Sequence, residues 1–198
     1  MAGVAIGAIW TLPVPEIVGY VGDGVRKLMN RVLSRHGREN IDEAVGWFKQ
    51  DYFAHCVEDT RPYDGIEEML TRLRHAPMAV VTNKPVAMAQ RILDELGLAH
   101  FFSAVVGGDE GPLKPLPDPL RLALARLGAS GEDAAEASGG GGCMVGDFEN
   151  DILAAQACGM SACGVTWGLD AGRSLAALKM DYLAASPEKL ANWLTRSD

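Results

Sequence analysis

The stretch MAVVTNKP at residues 78–85 decides the fold class. It begins with a short, continuous apolar run, which is typical of a strand covered by helices on both faces, and it ends in polar residues. The same texture recurs in AVVGGD at 104–109 and in CMVGD at 143–147. Helical periodicity follows these runs at 86–96, 119–127 and 150–158. This alternation predicts an α/β fold with a parallel sheet between layers of helices.

Two segments outside this alternation have a different character. From about Glu16 to Cys56, apolar residues recur at spacings of three and four, which predicts helices and no strand. Between Ala129 and Gly142 the sequence is rich in Ala, Glu, Ser and Gly and ends in four consecutive glycines. Burial of such residues cannot offset the entropy lost on ordering, so we expect a flexible surface loop.

Composition excludes several functional classes. The 198 residues carry 18 Lys and Arg against 26 Asp and Glu, a formal charge of −8, whereas a general nucleic-acid binder needs a basic excess. The apolar stretch Met1 to Trp10 is shorter than the about 20 residues of a membrane span and lacks the features of a signal peptide. The four cysteines form no CxxC pair, which indicates reduced core thiols. We therefore expect a cytoplasmic protein that binds neither nucleic acid nor membrane.

Polar residues follow the first predicted strand directly. In a parallel α/β sheet, ligands bind outside the carboxyl ends of the strands. Thr82, Asn83 and Lys84 stand at that place, and their hydroxyl and backbone N–H groups suit a phosphate or another oxyanion. The alternative is that Thr82 and Asn83 simply cap the next helix, as these residue types often do.

The next two strand ends supply a cation and two carboxylates. Lys114 is the single basic residue of a proline-rich loop, where it is either positioned to neutralise a phosphoryl group or merely solvated. Asp147 and Asp151 are four residues apart across a strand-to-helix loop. They could hold Mg²⁺ as hard oxygen ligands, or they could only complement the helix N-terminus. Taken together, these groups favour one site for a phosphate and Mg²⁺.

These segments also carry a family resemblance. Three of them resemble motifs II, III and IV of the haloacid dehalogenase superfamily, in the same order: VVTNKP (80–85), LKPLPDP (113–119) and VGDFENDI (145–152). Three segments more narrowly resemble bacterial phosphoglycolate phosphatases: YVGDGVRKL (20–28), TRPYDGI (60–66) and VVGGDEGPLKPLPDP (105–119).

The resemblance implies a fold and a reaction. It implies a Rossmann-like α/β core at 61–198, a small α-helical cap at 16–60, and Mg²⁺-dependent hydrolysis of a phosphomonoester through an aspartyl-phosphate. The substrate would be a small phosphorylated metabolite such as 2-phosphoglycolate, and the protein a monomer or homodimer.

The same resemblance assigns a role to each motif residue. Thr82 and Asn83 would hold the phosphoryl group, and Lys114 would stabilise its charge. Asp147 would bind Mg²⁺, while Asp151 would bind Mg²⁺ or orient Lys114.

The first motif of that superfamily, DxDxT, is missing from the sequence. Laying IGAIWTL (6–12) over the usual FDLDGTL puts Gly7 and Ile9 where the aspartates belong, and no acidic residue precedes Glu16. We therefore expect residues 1–15 to be an atypical or truncated N-terminus and the first core strand to be absent. Without the attacking carboxylate, the chain is predicted to be nearly inactive.

The substrate side of the site is predicted from the turn before the first long helix. By resemblance, Gly24 lies near the substrate, and the guanidinium of Arg26 is the candidate contact for a substrate carboxylate. Two alternatives stay open. One is a non-catalytic phosphate-binding or interaction module; the other is a sugar-phosphate mutase or pyrophosphatase of the same superfamily.

Overall fold

The computed structural model describes residues 12–37, 40–128, 142–169, 172 and 174–196. The predictions made for residues 1–11, including the absence of a first core strand, lie outside these ranges. The predicted glycine-rich loop also falls outside them, apart from Gly142.

Three helices come first in the described chain. They are α1 (Val14–Val18), α2 (Val25–Ser34) and α3 (Ile41–His55). Leu28, Met29 and Leu33 of α2 are buried against Ala44 of α3, with Phe48 packed at the edge of this cluster. The spacing of three and four along each helix puts these side chains on one stripe, which is why the two helices pair.

Strands and helices alternate after this helical pair. In chain order they are α4 (Ile66–Leu73), β1 (Ala79–Val81), α5 (Val86–Glu95), a 3₁₀ turn (Ala99–Phe101), β2 (Ala104–Val106), α6 (Asp118–Arg126), β3 (Cys143–Gly146), α7 (Glu149–Cys158), β4 (Ser161–Val165), β5 (Tyr182–Ala184) and α8 (Pro187–Leu194). The predicted α/β fold class is confirmed.

All strand pairs in the described chain are parallel, but they form two sheets. β1 pairs with β2, with Ala79 opposite Ala104, and β4 lies between β3 and β5. We predicted a single sheet, yet no ladder joins β1 to β3 among the described residues. The carbonyl of Val81, the last residue of β1, accepts instead from Nζ of Lys114.

Side-chain packing connects the two sheets. Leu120 of α6 and Ile152 of α7 are 2% and 0% exposed and belong to one core cluster. Val81 of β1 and Met144 of β3 pack against this cluster from the two sheets. Burying a Leu or Ile side chain contributes about 1.5–3 kcal/mol, so this packing stabilises the arrangement of the two sheets.

The state of the cysteines and the length of the helices test what the composition predicted. All four cysteines are free thiols, and burial raises the pKa of Cys163 to about 12. Within the described ranges, no helix is long and apolar enough to span a bilayer.

Candidate phosphate-binding site

One cavity of about 320 Å³ collects most of the predicted site residues. It lies between the helical pair and the loops that follow β1, β2 and β3. Six of the seven predicted residues line it: Gly24, Thr82, Asn83, Lys114, Asp147 and Asp151. The loops meet there because the strands of each sheet run parallel and their carboxyl ends share one side.

Thr82 continues the pairing of β1 with β2. Its N–H donates to the carbonyl of Val106 at 3.0 Å, and its Oγ1 accepts from the N–H of Lys84 at 3.1 Å. The N-cap position of α5 is Pro85, which makes no side-chain capping bond. Thr82 therefore shapes the turn before the helix instead of capping it, and its hydroxyl proton can be donated into the cavity.

Asn83 braces two loops through its side chain. Its Nδ2 donates to the carbonyls of Gly22 and Lys114 at 2.8 and 3.0 Å, and its Oδ1 accepts from the N–H of Lys114 at 2.9 Å. The side chain is thus engaged with the protein. Only the backbone N–H of Asn83 is left for the predicted contact with a phosphate.

Lys114 and Asp151 form a buried ion pair. Nζ of Lys114 lies 2.7 Å from Oδ1 of Asp151, and the two residues are only 8% and 7% exposed. Asp151 stands in the first turn of α7, where its Oδ2 also accepts from the N–H of Phe148 at 3.2 Å. The predicted roles of orienting Lys114 and complementing the helix N-terminus are thus compatible in one carboxylate.

Two glycines make room for the aspartates. A side chain at Gly146, the last residue of β3, would collide with the carboxylate of Asp151. A side chain at Gly168 would likewise collide with Asp147. The backbone approaches both carboxylates so closely that only glycine fits at these two positions.

Asp147 is half-buried beside a second carboxylate. Its Oδ2 accepts from the N–H of Leu169 at 2.8 Å. Burial raises the pKa of Asp147 above its usual range and nearby Asp151 adds to this, whereas the bond from Leu169 and the charge of Lys114 oppose it.

This arrangement fits a divalent cation. The donors are hard carboxylate oxygens, and a cation would relieve the unfavourable charge on Asp147. Within the described residues no cluster of three or more His, Cys, Asp or Glu is found, so water and substrate oxygens would have to complete the coordination. Magnesium usually retains several waters in this way.

Gly24 and Arg26 have different places in the structure. Gly24 precedes α2 with a φ of 86° and lines the cavity, and a Cβ there would lie 2.9 Å from the Leu113 side chain. Arg26 is outside the cavity lining: its guanidinium pairs with Asp42 on α3, and its side chain is 66% exposed. The structure therefore does not bring Arg26 together with the other predicted residues.

Tyr52 and Asn150 line the cavity but were not predicted as site residues, whereas Lys84 was predicted only through its backbone N–H. Nζ of Lys84 donates to the hydroxyl of Tyr52 at 2.6 Å, which joins the loop after β1 to α3. Nδ2 of Asn150 donates to Oδ1 of Asp23 at 3.0 Å, and this bond together with Arg31 lowers the pKa of Asp23. Tyr52 lies in an apolar helical pattern, which gives no local signal of a site role.

Comparison with known proteins gives a consistent result. A family model described as haloacid dehalogenase-like hydrolase matches residues 3–159. The chain is similar to a phosphoglycolate phosphatase of Neisseria meningitidis, with 41% identity over 166 residues that cover 79% of this chain and 67% of the relative. A plasmid-encoded phosphoglycolate phosphatase of Cupriavidus necator is 35% identical over 190 residues, covering 93% of this chain and 79% of the relative.

The solved structures agree on the fold. A crystal structure of a predicted phosphoglycolate phosphatase from Haemophilus somnus superposes with a TM-score of 0.78 at 26% identity, covering 93% of this chain and 84% of that one. The chain spans about two thirds of the length of the Neisseria relative.

Proposed function

The chain belongs to the haloacid dehalogenase-like hydrolases, and from this premise we propose that its cavity binds a small phosphomonoester of the 2-phosphoglycolate type beside Mg²⁺. The relatives of this chain in Neisseria meningitidis and Cupriavidus necator are phosphoglycolate phosphatases.

One observation carries the proposal. Thr82, Lys114 and the pair Asp147 and Asp151 come from three segments that are remote in sequence, and they line a single cavity. A hydroxyl donor, an ammonium and a carboxylate pair are the groups that a phosphate dianion with a divalent cation needs. An exposed turn, a solvated lysine and a helix-capping acid would not have to meet in this way.

Each side chain has a definite task in this scheme. The hydroxyl of Thr82 donates to a phosphoryl oxygen, and the ammonium of Lys114 offsets charge on the phosphoryl group. Asp151 keeps that ammonium in place, since Lys114 Nζ is 2.7 Å from Oδ1 of Asp151. Asp147 and Asp151 would hold Mg²⁺, which, when bound, supplies electrostatic stabilisation of the transferring group.

Hydrolysis through an aspartyl-phosphate needs one more group. A carboxylate must attack phosphorus and expel the alcohol of the ester, after which water releases phosphate and regenerates the carboxylate. Among the described residues, the carboxylates of the cavity lining are Asp147 and Asp151, both engaged otherwise. We therefore propose that a polypeptide of these 198 residues binds the ester but turns it over several orders of magnitude more slowly than a complete site.

The binding experiment is a calorimetric titration of 2-phosphoglycolate in the presence of MgCl₂. Thr82→Val should weaken binding roughly ten- to hundredfold, because a hydrogen bond to a charged group contributes about 1.5–3 kcal/mol. Thr195→Val is the matched control: that hydroxyl donates to the carbonyl of Ala191 at 2.8 Å in α8, away from the cavity lining. Equal affinities of the two variants, or no binding by the unmodified chain, would contradict the proposal.

A turnover assay separates the enzyme from a non-catalytic binding module. Phosphate release from 2-phosphoglycolate is measured for the 198-residue chain and for a version extended upstream by a strand that carries DxDxT. We expect release only from the extended version. Fast release by the unextended chain would refute its near inactivity, and silence of both versions, if ligand still binds, would favour the module.

A further inference from the structure

We propose that Lys84, held by Tyr52, is a second anion subsite that binds the carboxylate of the substrate. This inference rests on the proposed function and deepens it, because it restricts the substrate to a short phosphate ester with a second anionic group. Arg26, the residue predicted for this contact from the sequence, lies outside the cavity lining.

Lys84 is a cavity cation that no acidic side chain in the described ranges pairs with. Its Nζ donates to the hydroxyl of Tyr52 at 2.6 Å and lies 4.1 Å from the centroid of the Tyr52 ring. Among the described residues, none of the ion pairs involves Lys84. A neutral hydroxyl and an aromatic face hold the ammonium in place but leave its charge uncompensated.

The other lysine of the cavity differs in this respect. Lys114 is 8% exposed, and Asp151 offsets its charge at 2.7 Å. Lys84 is less buried than Lys114. It lines the same cavity where the loop after β1 meets α3. We therefore place the phosphoryl group of the ligand at Thr82 and Lys114 and its carboxylate at Lys84, which line the same cavity.

The helical wall of the cavity offers few polar partners. The side chains that α2 and α3 contribute to the lining are Val25, Leu28, Phe48 and Tyr52, and the hydroxyl of Tyr52 is the polar group among them. Tyr52 is itself stacked on Phe48, with ring centroids 5.3 Å apart, so its hydroxyl is fixed. A sugar phosphate would bury several hydroxyl groups there without hydrogen bonds, which is costly, whereas a short acid needs only the ammonium.

The test compares two ligands that differ in one carboxylate, 2-phosphoglycolate and ethyl phosphate, by calorimetric titration of the full chain with MgCl₂. The unmodified chain should bind 2-phosphoglycolate roughly ten- to hundredfold more tightly, the range expected for a charged hydrogen bond. Lys84→Met should abolish this preference by weakening the binding of 2-phosphoglycolate while leaving that of ethyl phosphate unchanged. Lys84→Arg should retain most of the preference.

Arg91→Met is the matched control. Arg91 is also a cation that contacts α3, donating to the carbonyl of Phe53 with its guanidinium 4.8 Å from the Phe53 ring centroid, but it does not line the cavity. Its loss tests whether any weakened contact with α3 lowers affinity. The ligand preference should be unchanged in this variant, and thermal melts of all variants verify folding.

The outcomes distinguish the two proposals. An equal loss of both ligands in Lys84→Met, an unchanged preference in that variant, or loss of preference in Arg91→Met would overturn the subsite while the phosphate site stands. If Lys84→Met does not fold, Lys84→Gln takes its place, because it removes the charge but keeps a polar side chain, and the preference must again be lost. Failure of the unmodified chain to bind either ligand would overturn the proposed function itself.

Discussion

Asp147 carries a negative charge that its surroundings disfavour. Its carboxylate is half-buried near Asp151, and burial raises its pKa. A divalent cation binding there would stabilise the folded state, and a ligand at a hundred times its Kd contributes about 2.7 kcal/mol.

We expect MgCl₂ to raise the Tm of the unmodified chain by several degrees and to leave Asp147→Asn unchanged. Scanning calorimetry with and without EDTA makes the measurement. Asp94→Asn is the control, since Asp94 is exposed on α5 and its carboxylate accepts from Nε2 of Gln90, one turn earlier on the same helix, at 2.9 Å. A rise of the same size in Asp147→Asn would count against this metal site.

The Lys114–Asp151 pair is a second case of buried charge. Removing one partner of a buried pair leaves the other charge uncompensated, which typically costs about 3–5 kcal/mol. Asp151→Asn should therefore lower the free energy of unfolding markedly, with urea denaturation as the measurement. Glu110→Gln, in the more exposed pair with Arg126, should change it far less. Similar losses for the two variants would mean that Lys114 is stabilised by its other contacts.

At the level of the element, α3 contains a glycine in its interior. Gly46 lies inside this 15-residue helix, and a Cβ there would meet nothing within 4 Å. Gly46→Ala should raise the free energy of unfolding by about 0.5–1 kcal/mol, because alanine loses less backbone entropy in a helix. Gly146→Ala is the opposite case, since its Cβ would collide with Asp151. Denaturation curves that moved in the same direction for both would contradict this reasoning.

At the scale of the whole molecule, two sheets share one core through α6 and α7. Ile152 is fully buried in the cluster that contacts both β1 and β3. Ile152→Ala should cost about 2–5 kcal/mol and destabilise both sheets together.

Two probes monitor this prediction. Tryptophan fluorescence is measured with Trp10, Trp47 and Trp167 replaced by Phe, so that it reports Trp193, which stacks on Tyr182 of β5 at 5.1 Å between ring centroids. Far-ultraviolet circular dichroism reports the whole chain. The two transitions should shift by the same amount. Leu183→Ala, at a residue 44% exposed, should have little effect. Transitions that separate in Ile152→Ala would show that the sheets unfold independently.

Site residues at strand ends can be predicted from the sequence, whereas site residues on α3 cannot. Thr82, Lys114, Asp147 and Asp151 directly follow strand cores or lie in the loop after one, and strand ends meet in any parallel sheet. Their common cavity was therefore foreseeable. Tyr52 lies on α3, which does not directly follow a strand, and its partner Lys84 is 32 residues away in sequence. Only packing of α3 against the α/β part brings the two together.

Residue order accounts for the α/β class, the parallel strands and the loops that carry the polar groups, because apolar runs and helical periodicity are local properties of the chain. The packing of remote segments decides that the side chain of Asn83 braces two loops, that Arg26 pairs with Asp42 outside the cavity, and that no carboxylate in the described part of the chain pairs with Lys84. Charge pairing and burial depend on distances between segments remote in the chain, and no local pattern of residues encodes those distances.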